Sequence, residues 1–262
     1  MSVKKAIWHF GIHCCQMLFS ARVRSLWCAM MWEATEGKKA DSVLRELLTQ
    51  QDILTQRIDR AAIRYDHGIH PKHRLTGYHG FFCDRIRQGE HVLDIGCGCG
   101  AVAKSIADRG ALVTAIDIDL ESISLAKARY GNKAIKFLHG DATRDLPPGK
   151  FDVIVLSNVL EHIQNRRDFI RKIQSSAKPC RWLIRIPLIN RDWSVALRRE
   201  LGLPFYSDPG HYVEYTPESF IEEMNEAGMK VRFMIINWGE IWAQVSTQLE
   251  RTKSVLQEKG DA

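Results

Sequence analysis

The apolar residues follow two rhythms, and the change between them organises the chain. Near the N-terminus Ile7, Phe10, Cys14, Met17, Leu18 and Ala21 recur at spacings of three and four, one stripe of an amphipathic helix. Gly37-Lys38-Lys39 breaks that pattern, and a second helix is expected from Asp41, a candidate N-cap, to Tyr65. Its stripe (Leu44, Leu47, Leu48, Leu54, Ile58, Ala61, Ala62, Tyr65) is interrupted at Gln51, which suits a capping helix or half of a homodimer contact better than a coiled coil. From His91 the rhythm changes to short apolar runs separated by helical stretches. The runs His91–Ile95, Leu112–Ile116, Ile135–Leu138, Phe151–Leu156, Arg181–Ile186, Val231–Ile236 and Ile241–Val245 predict strands. Helices are expected to begin near Ala101, Leu120, Ser157 and Asp168. Strands alternating with helices imply a parallel sheet covered on both faces. Only Asn237–Glu240 joins the last two runs, a connection short enough to require an antiparallel pair. The expected class is therefore α/β, mostly parallel, with one reversed strand.

Composition narrows the class without changing it. Hydrophobic residues make up 45% of the 262 and charged residues 26%, which excludes a disordered or collagenous chain. No window holds the ~18 uninterrupted apolar residues of a spanning helix. The formal net charge is +6, and Lys4, Lys5, Arg22 and Arg24 carry much of it before the first acid at Glu33. The remainder is nearly balanced and lacks a basic stripe interleaved with aromatics, so no nucleic-acid partner is expected. The acid-free N-terminal helix has the composition of an organellar transit segment, and also of a helix lying on an anionic membrane. Packing on protein is the simpler expectation. The seven cysteines, at 14, 15, 28, 83, 97, 99 and 180, are odd in number and form no CxxC pair. Free thiols in a reducing compartment follow, with a cytoplasmic location and peripheral membrane contact through the N-terminal helix as a further expectation.

The chemistry concentrates at strand ends. Val92-Leu93-Asp94-Ile95-Gly96-Cys97-Gly98-Cys99-Gly100 is a buried strand running into a glycine turn and then a helix. Glycines there let the backbone approach a ligand and adopt unusual φ. Gly96-x-Gly98-x-x-Ala101, with Asp117 at the end of the second strand, also fits a dinucleotide fingerprint. Three features weigh against that reading. Asp94 precedes the glycines, where an acid can serve an amino-acid ligand. Gly140-Asp141-Ala142 ends the third strand, where a carboxylate can accept from an adenine amino group. The run from Phe151 to Asn158 forms the fourth strand and its exit.

These stretches, VLDIGCGCG (92–100), AIDID (115–119), GDA (140–142) and FDVIVLSNVLEHI (151–163), resemble the class I S-adenosylmethionine-dependent methyltransferases in order and spacing. The flanking His70–Leu75, Tyr78–Phe82, Asn190–Trp193 and Gly210–Pro217 resemble bacterial members of surface-polysaccharide and small-molecule pathways. The resemblance covers about residues 85–247. It implies a Rossmann-like, doubly wound seven-stranded sheet with one antiparallel strand, here with an N-terminal helical extension. The domains would be 1–84, a helical extension and lid; 85–250, the cofactor-binding domain; and 251–262, a tail. S-adenosyl-L-methionine is the implied cofactor. Gly96, Cys97, Gly98 and Gly100 would line its methionine part, and Asp94 would orient its amino group. Asp117 would accept from the ribose hydroxyls, and Ile118 would pack on the adenine. Asp141 and Ala142 would hold the adenine edge, with Ser157 and Asn158 at the sulfonium end.

Methyl transfer needs a positioned acceptor and, for a protonated nucleophile, a base. His211, beside Tyr212 and Tyr215 in the segment after the fifth strand, is the first candidate, and His162 is the second. Arg74, Tyr78 and His79 are expected in a substrate lid. No metal is expected, because Ser157-Asn158 lacks a carboxylate at the strand exit and Cys97/Cys99 have no partner pair at zinc spacing. The expected activity is in-line methyl transfer to an oxygen or nitrogen of a small molecule or glycan. The rival readings are an NAD-dependent oxidoreductase and a non-catalytic, methyltransferase-like partner subunit.

Overall fold

The computed structural model describes residues 21–179 and 181–247. The N-terminal stripe from Ile7 to Leu18 lies outside them. The chain divides into two compact units, residues 1–57 and 58–262, with the boundary inside the second long helix. In the first unit, α1 (Ala21–Glu33) ends in a turn where the Thr35 hydroxyl donates to the Trp32 carbonyl at 2.6 Å. Gly37, at φ +83°, makes the predicted break. Helix α2 (Ala40–Tyr65) starts one residue before Asp41, so that carboxylate lies in the first turn rather than at the cap. No residue of α2 is buried, and Leu54, Ile58 and Tyr65 of its apolar stripe are exposed.

The second unit is built on one seven-stranded sheet in the order β3-β2-β1-β4-β5-β7-β6. Its strands are β1 (His91–Ile95), β2 (Leu112–Asp117), β3 (Ile135–His139), β4 (Val153–Ser157), β5 (Arg181–Pro187), β6 (Met229–Asn237) and β7 (Glu240–Thr247). The first five pair in parallel, and β7 runs antiparallel to both β5 and β6. The β6–β7 connection is the two residues Trp238 (φ +53°) and Gly239 (φ +72°), and positive φ at both centres gives the twist a two-residue hairpin requires.

Alternation along the strands divides the core between the two faces. On one face Val92, Val113, Val153, Val155 and Leu183 pack beneath α4 (Tyr78–Cys83), α5 (Ala101–Ala107) and α6 (Leu120–Tyr130). On the other, Leu93, Ile154, Leu156, Trp182 and Ile184 pack beneath α7 (Arg166–Ala177) and α9 (Pro217–Glu226). A short α3 (Lys72–Leu75) precedes α4, and α8 (Trp193–Glu200) lies between β5 and α9. The helix expected near Ser157 is instead one 3₁₀ turn, Leu160–His162. The strand order reverses between β1 and β4, so the ends of these two strands flank the crevice where doubly wound sheets take ligands. Among the described residues no helix is long and apolar enough to cross a membrane.

Candidate active site

The glycine turn after β1 is tied to β2. Gly96 and Cys97 donate their backbone N–H groups to the Ile116 carbonyl, and Gly98 N–H donates to Asp117 Oδ2 at 2.7 Å. Asp119 N–H donates to Asp117 Oδ1 at 2.8 Å. Each carboxylate oxygen of Asp117 thus organises the turn and keeps a further acceptor position. The glycines do different work. A Cβ on Gly96 would lie 2.5 Å from Val159, and one on Gly100 would lie 2.8 Å from the Phe137 ring, so both are demanded by packing. A Cβ on Gly98 would meet nothing within 4 Å, so this glycine presents bare backbone to open space. Gly100 therefore underlies the turn rather than lining the cleft.

Two contiguous recesses open above these strand ends, about 750 and 590 Å³ in volume, with Gly96 and Asn158 on the wall of both. The larger takes in Asp117, Ile118, Asp141, Ala142, His162 and Tyr212. Ile118 is 68% exposed there, an apolar face without a protein partner. Asp141 Oδ1 accepts from Thr143 N and Oγ1, and these hydrogen bonds outweigh burial to hold its carboxyl below the usual range. The smaller recess takes in Asp94, Cys97, Gly98, Ser157, Tyr78 and Arg185. Burial pushes the Cys97 thiol up, so it stays a neutral wall rather than a nucleophile.

One side-chain oxygen on each of two wall residues, Asp94 and Asn158, is buried with no hydrogen-bond partner among the described residues. Asp94 is buried, its Oδ2 accepts no hydrogen bond, and burial followed by the neighbouring Asp117 charge pushes its carboxyl up to about 8. Asn158 adopts φ +58°, which turns the chain out of β4, and its Oδ1 is likewise buried and unpaired. A buried acceptor left unpaired is costly, so both positions are arranged for a donor from outside the chain.

The lid residues separate. Arg74 is exposed and pairs with Asp66 at 3.1 Å, away from the recesses. Tyr78 is buried, and it reaches His73 Nδ1 at 2.6 Å. His79 Nε2 meets the same nitrogen at 2.9 Å, while its Nδ1 lies 2.7 Å from Ser105 Oγ. Burial first, then neighbouring positive charge, lowers both imidazoles to about 4, so the network is neutral at pH 7. The sequence placed Tyr215 at the pocket. Here it is 1% exposed, donates to Glu223 Oε2 at 3.0 Å and belongs to the core, whereas Tyr212 is 57% exposed and lines the larger recess.

His162 and His211 come together with ring centroids 4.5 Å apart. His162 is on the recess wall, and His211 is behind it, 2.9 Å from Glu214 Oε1. Sequence reasoning passed over four residues that complete this region: Glu161, Arg185, Glu214 and Glu240. A charge in the middle of the apolar run Trp182-Leu183-Ile184-Arg185-Ile186 was the available signal for one of them.

The comparisons agree with this geometry. Residues 93–184 match the protein family described as methyltransferase domain. A ubiquinone biosynthesis O-methyltransferase of Chromobacterium violaceum is 30% identical over 146 residues, covering 53% of this chain and 62% of that protein. The mitochondrial enzyme of that name from Schizosaccharomyces pombe is 36% identical over 96 residues, which span 35% of each chain, so the shared part is a minor fraction of that relative's length. Magnesium protoporphyrin IX methyltransferase from Synechocystis PCC 6803, solved with bound SAH, superposes with a TM-score of 0.54 at 18% identity, over 71% of this chain and 86% of that one. The [4+2]-cyclase SpnF superposes at 0.53 with 17% identity, over 66% and 80%, so the fold by itself does not dictate the reaction. Residues 93–184 thus match a methyltransferase domain, for which S-adenosylmethionine is the methyl-donating cofactor.

Proposed function

We propose that this protein transfers a methyl group from S-adenosylmethionine to an oxygen or nitrogen of a small molecule or glycan. The observation that carries the reading is the pair of unpaired buried acceptors, Asp94 Oδ2 and Asn158 Oδ1, on walls that meet at the bare Gly98 backbone. Asp94 suits the ammonium of the cofactor, whose charge offsets the burial that keeps this carboxyl protonated. The free acceptor positions of Asp117 suit two ribose hydroxyls, exposed Ile118 suits the adenine face, and Asp141 beside Ala142 suits its amino edge.

When bound, the cofactor supplies an electrophilic methyl on a sulfonium. The protein's part is to hold the acceptor in line and exclude water. His162 and Tyr212 line the larger recess with Asn158, which supports that wall as the acceptor side. The relatives named O-methyltransferases favour an oxygen acceptor. Calorimetry with S-adenosylhomocysteine and with NAD tests the cofactor: binding of the first and none of the second is expected, and the reverse refutes the reading. Methyl transfer from labelled S-adenosylmethionine to a panel of hydroxyl and amine acceptors then separates an enzyme from a non-catalytic partner subunit.

A further inference from the structure

We infer that Glu161, His162 and His211 form a binding site for a first-row divalent cation at the acceptor side of the cleft. Glu161 is 0% exposed, and both of its carboxylate oxygens are buried without a hydrogen-bond partner. A carboxylate in such a place is retained against a large desolvation cost, and a cation is a partner that can satisfy both oxygens. Two imidazoles stand beside it. One potential ligand atom from each of the three residues lies within 4.8 Å of the others.

The hydrogen bonds behind the rings set their ligating nitrogens. His162 Nδ1 lies 3.2 Å from the Gly210 carbonyl oxygen, which can only accept, so Nδ1 carries the proton. His211 Nδ1 lies 2.9 Å from Glu214 Oε1, and Glu214 also takes Ser207 Oγ–H and an ion pair from Arg191. With the Arg191 guanidinium paired to its other oxygen, Glu214 is placed to accept from His211 Nδ1–H. Each histidine is left with a lone pair on Nε2. Outward donation from one ring nitrogen to a carbonyl or carboxylate is how metal-ligating histidines are oriented. The frame is also stitched together, because Tyr212 N–H donates to the Glu161 carbonyl at 2.8 Å.

Two nitrogens and one carboxylate suit zinc, cobalt, manganese or iron better than magnesium, which prefers all-oxygen sets. Metal–ligand distances of about 2.0–2.2 Å put tetrahedral ligands roughly 3.3 Å apart, so the trio closes by a side-chain rotation of His162, the one exposed member. The sequence argued against a metal because Ser157-Asn158 has no carboxylate. The structure supplies one from Glu161, a 3₁₀ turn further on. Three protein ligands leave a coordination position open. Resting on the methyltransferase reading, that position would hold an acceptor hydroxyl and lower its pKa.

The test is Co²⁺ titration of the full chain after chelation, followed by visible absorption, with Zn²⁺ displacement measured by calorimetry. One equivalent should bind without cofactor or acceptor present, and Zn²⁺ should displace it. Glu161→Gln and His211→Ala should each weaken binding more than tenfold, while S-adenosylhomocysteine affinity and fold, followed by calorimetry and circular dichroism, stay at wild-type values in Glu161→Gln. Absence of binding to wild type, or binding unchanged in both variants, overturns the proposal. Cofactor binding without cation binding removes this site and keeps the methyltransferase reading, and the converse result keeps the site alone.

Discussion

The guanidinium carbon of Arg185 lies 3.9 Å from the centre of the Tyr78 ring. This contact joins the middle of β5 to helix α4. The same guanidinium donates to both oxygens of Glu240 at 2.6 Å and to Ser157 Oγ at 3.0 Å, so one buried cation braces α4, β7 and the exit of β4. Tyr78 stays neutral beneath it, since burial outweighs the cation and pushes the phenol up to about 12.

Arg185→Met should therefore be among the most damaging single changes in the sheet. It strips half-buried Glu240 of its cationic partner and leaves only the bond from Trp242 Nε1–H, a loss of about 3–5 kcal/mol. The double variant Arg185→Met/Glu240→Gln should recover much of that loss. Urea unfolding of the four proteins in the cycle measures the coupling, and additive losses would show that the pair does not act as a unit.

Asp94 gives the site a pH signature. Its folded carboxyl titrates near 8, above the ordinary carboxylate value of 3.8. The stability it contributes is thus fully present below about pH 4 and is lost as pH rises through 8. Thermal melts of wild type and Asp94→Asn should diverge in slope across this window, with the wild type losing more stability at the alkaline end. Saturating S-adenosylhomocysteine should flatten the wild-type slope, because its ammonium stabilises the anion. Parallel melting profiles would remove Asp94 from this role.

The strand–helix alternation was readable because each buried strand is a short apolar run, and the first three runs lead into glycine or acid. Asp94, Asp117 and Asp141 could be placed at strand ends for that reason, and all three lie on the cleft. Relations across long separations were not readable. Nothing in the periodicity brings His162 to Gly210, 48 residues away, or Arg185 to Glu240, 55 residues away. Glu161 sat in an apolar Leu-Glu-His-Ile run that looks like one turn of a helix, and its link to Tyr212, whose N–H donates to the Glu161 carbonyl, spans 51 residues of sequence. Tyr215 was drawn to the pocket by its neighbours in sequence. The β-bridge between Leu188 and Tyr215 instead turns that ring into the core, just before the Thr216-Pro217 helix start.

That burial makes Tyr215 a clean contrast with Tyr212. Tyr215→Phe removes a hydroxyl donated to Glu223, which also receives Arg166 Nε–H at 2.7 Å. The expected cost is about 1–2 kcal/mol of stability, with catalytic parameters unchanged once the protein is folded. Tyr212→Ala, on an exposed cleft residue, should leave the melting temperature nearly unchanged and raise the acceptor KM. A Tyr215→Phe protein that is fully stable yet impaired in turnover would return this tyrosine to the site.

The glycine turn offers the sharpest separation of folding from binding. Gly100 is at φ +80°, and an added Cβ would sit 2.8 Å from two atoms of the Phe137 ring and 3.0 Å from Ala126. Phe137 is buried in β3, and Ala126 is buried in α6, so neither has room to withdraw. Backbone strain and overpacking together should make Gly100→Ala cost about 2–4 kcal/mol. Gly98 is at φ +51°, and a methyl group added there would have nothing within 4 Å, so Gly98→Ala should cost only about 1 kcal/mol of backbone strain. Its methyl would project into the recess beside Asp94 and Asn158, where the ligand must approach the backbone. S-adenosylhomocysteine affinity should accordingly fall more than tenfold in Gly98→Ala, in a protein that still melts within a few degrees of wild type. Gly100→Ala should show the opposite order, with a large drop in melting temperature and near-normal affinity for the molecules that remain folded. Calorimetric titration alongside thermal melts of both variants decides the matter, and equal effects on stability and affinity in the two would mean that the turn is not divided between packing and ligand contact.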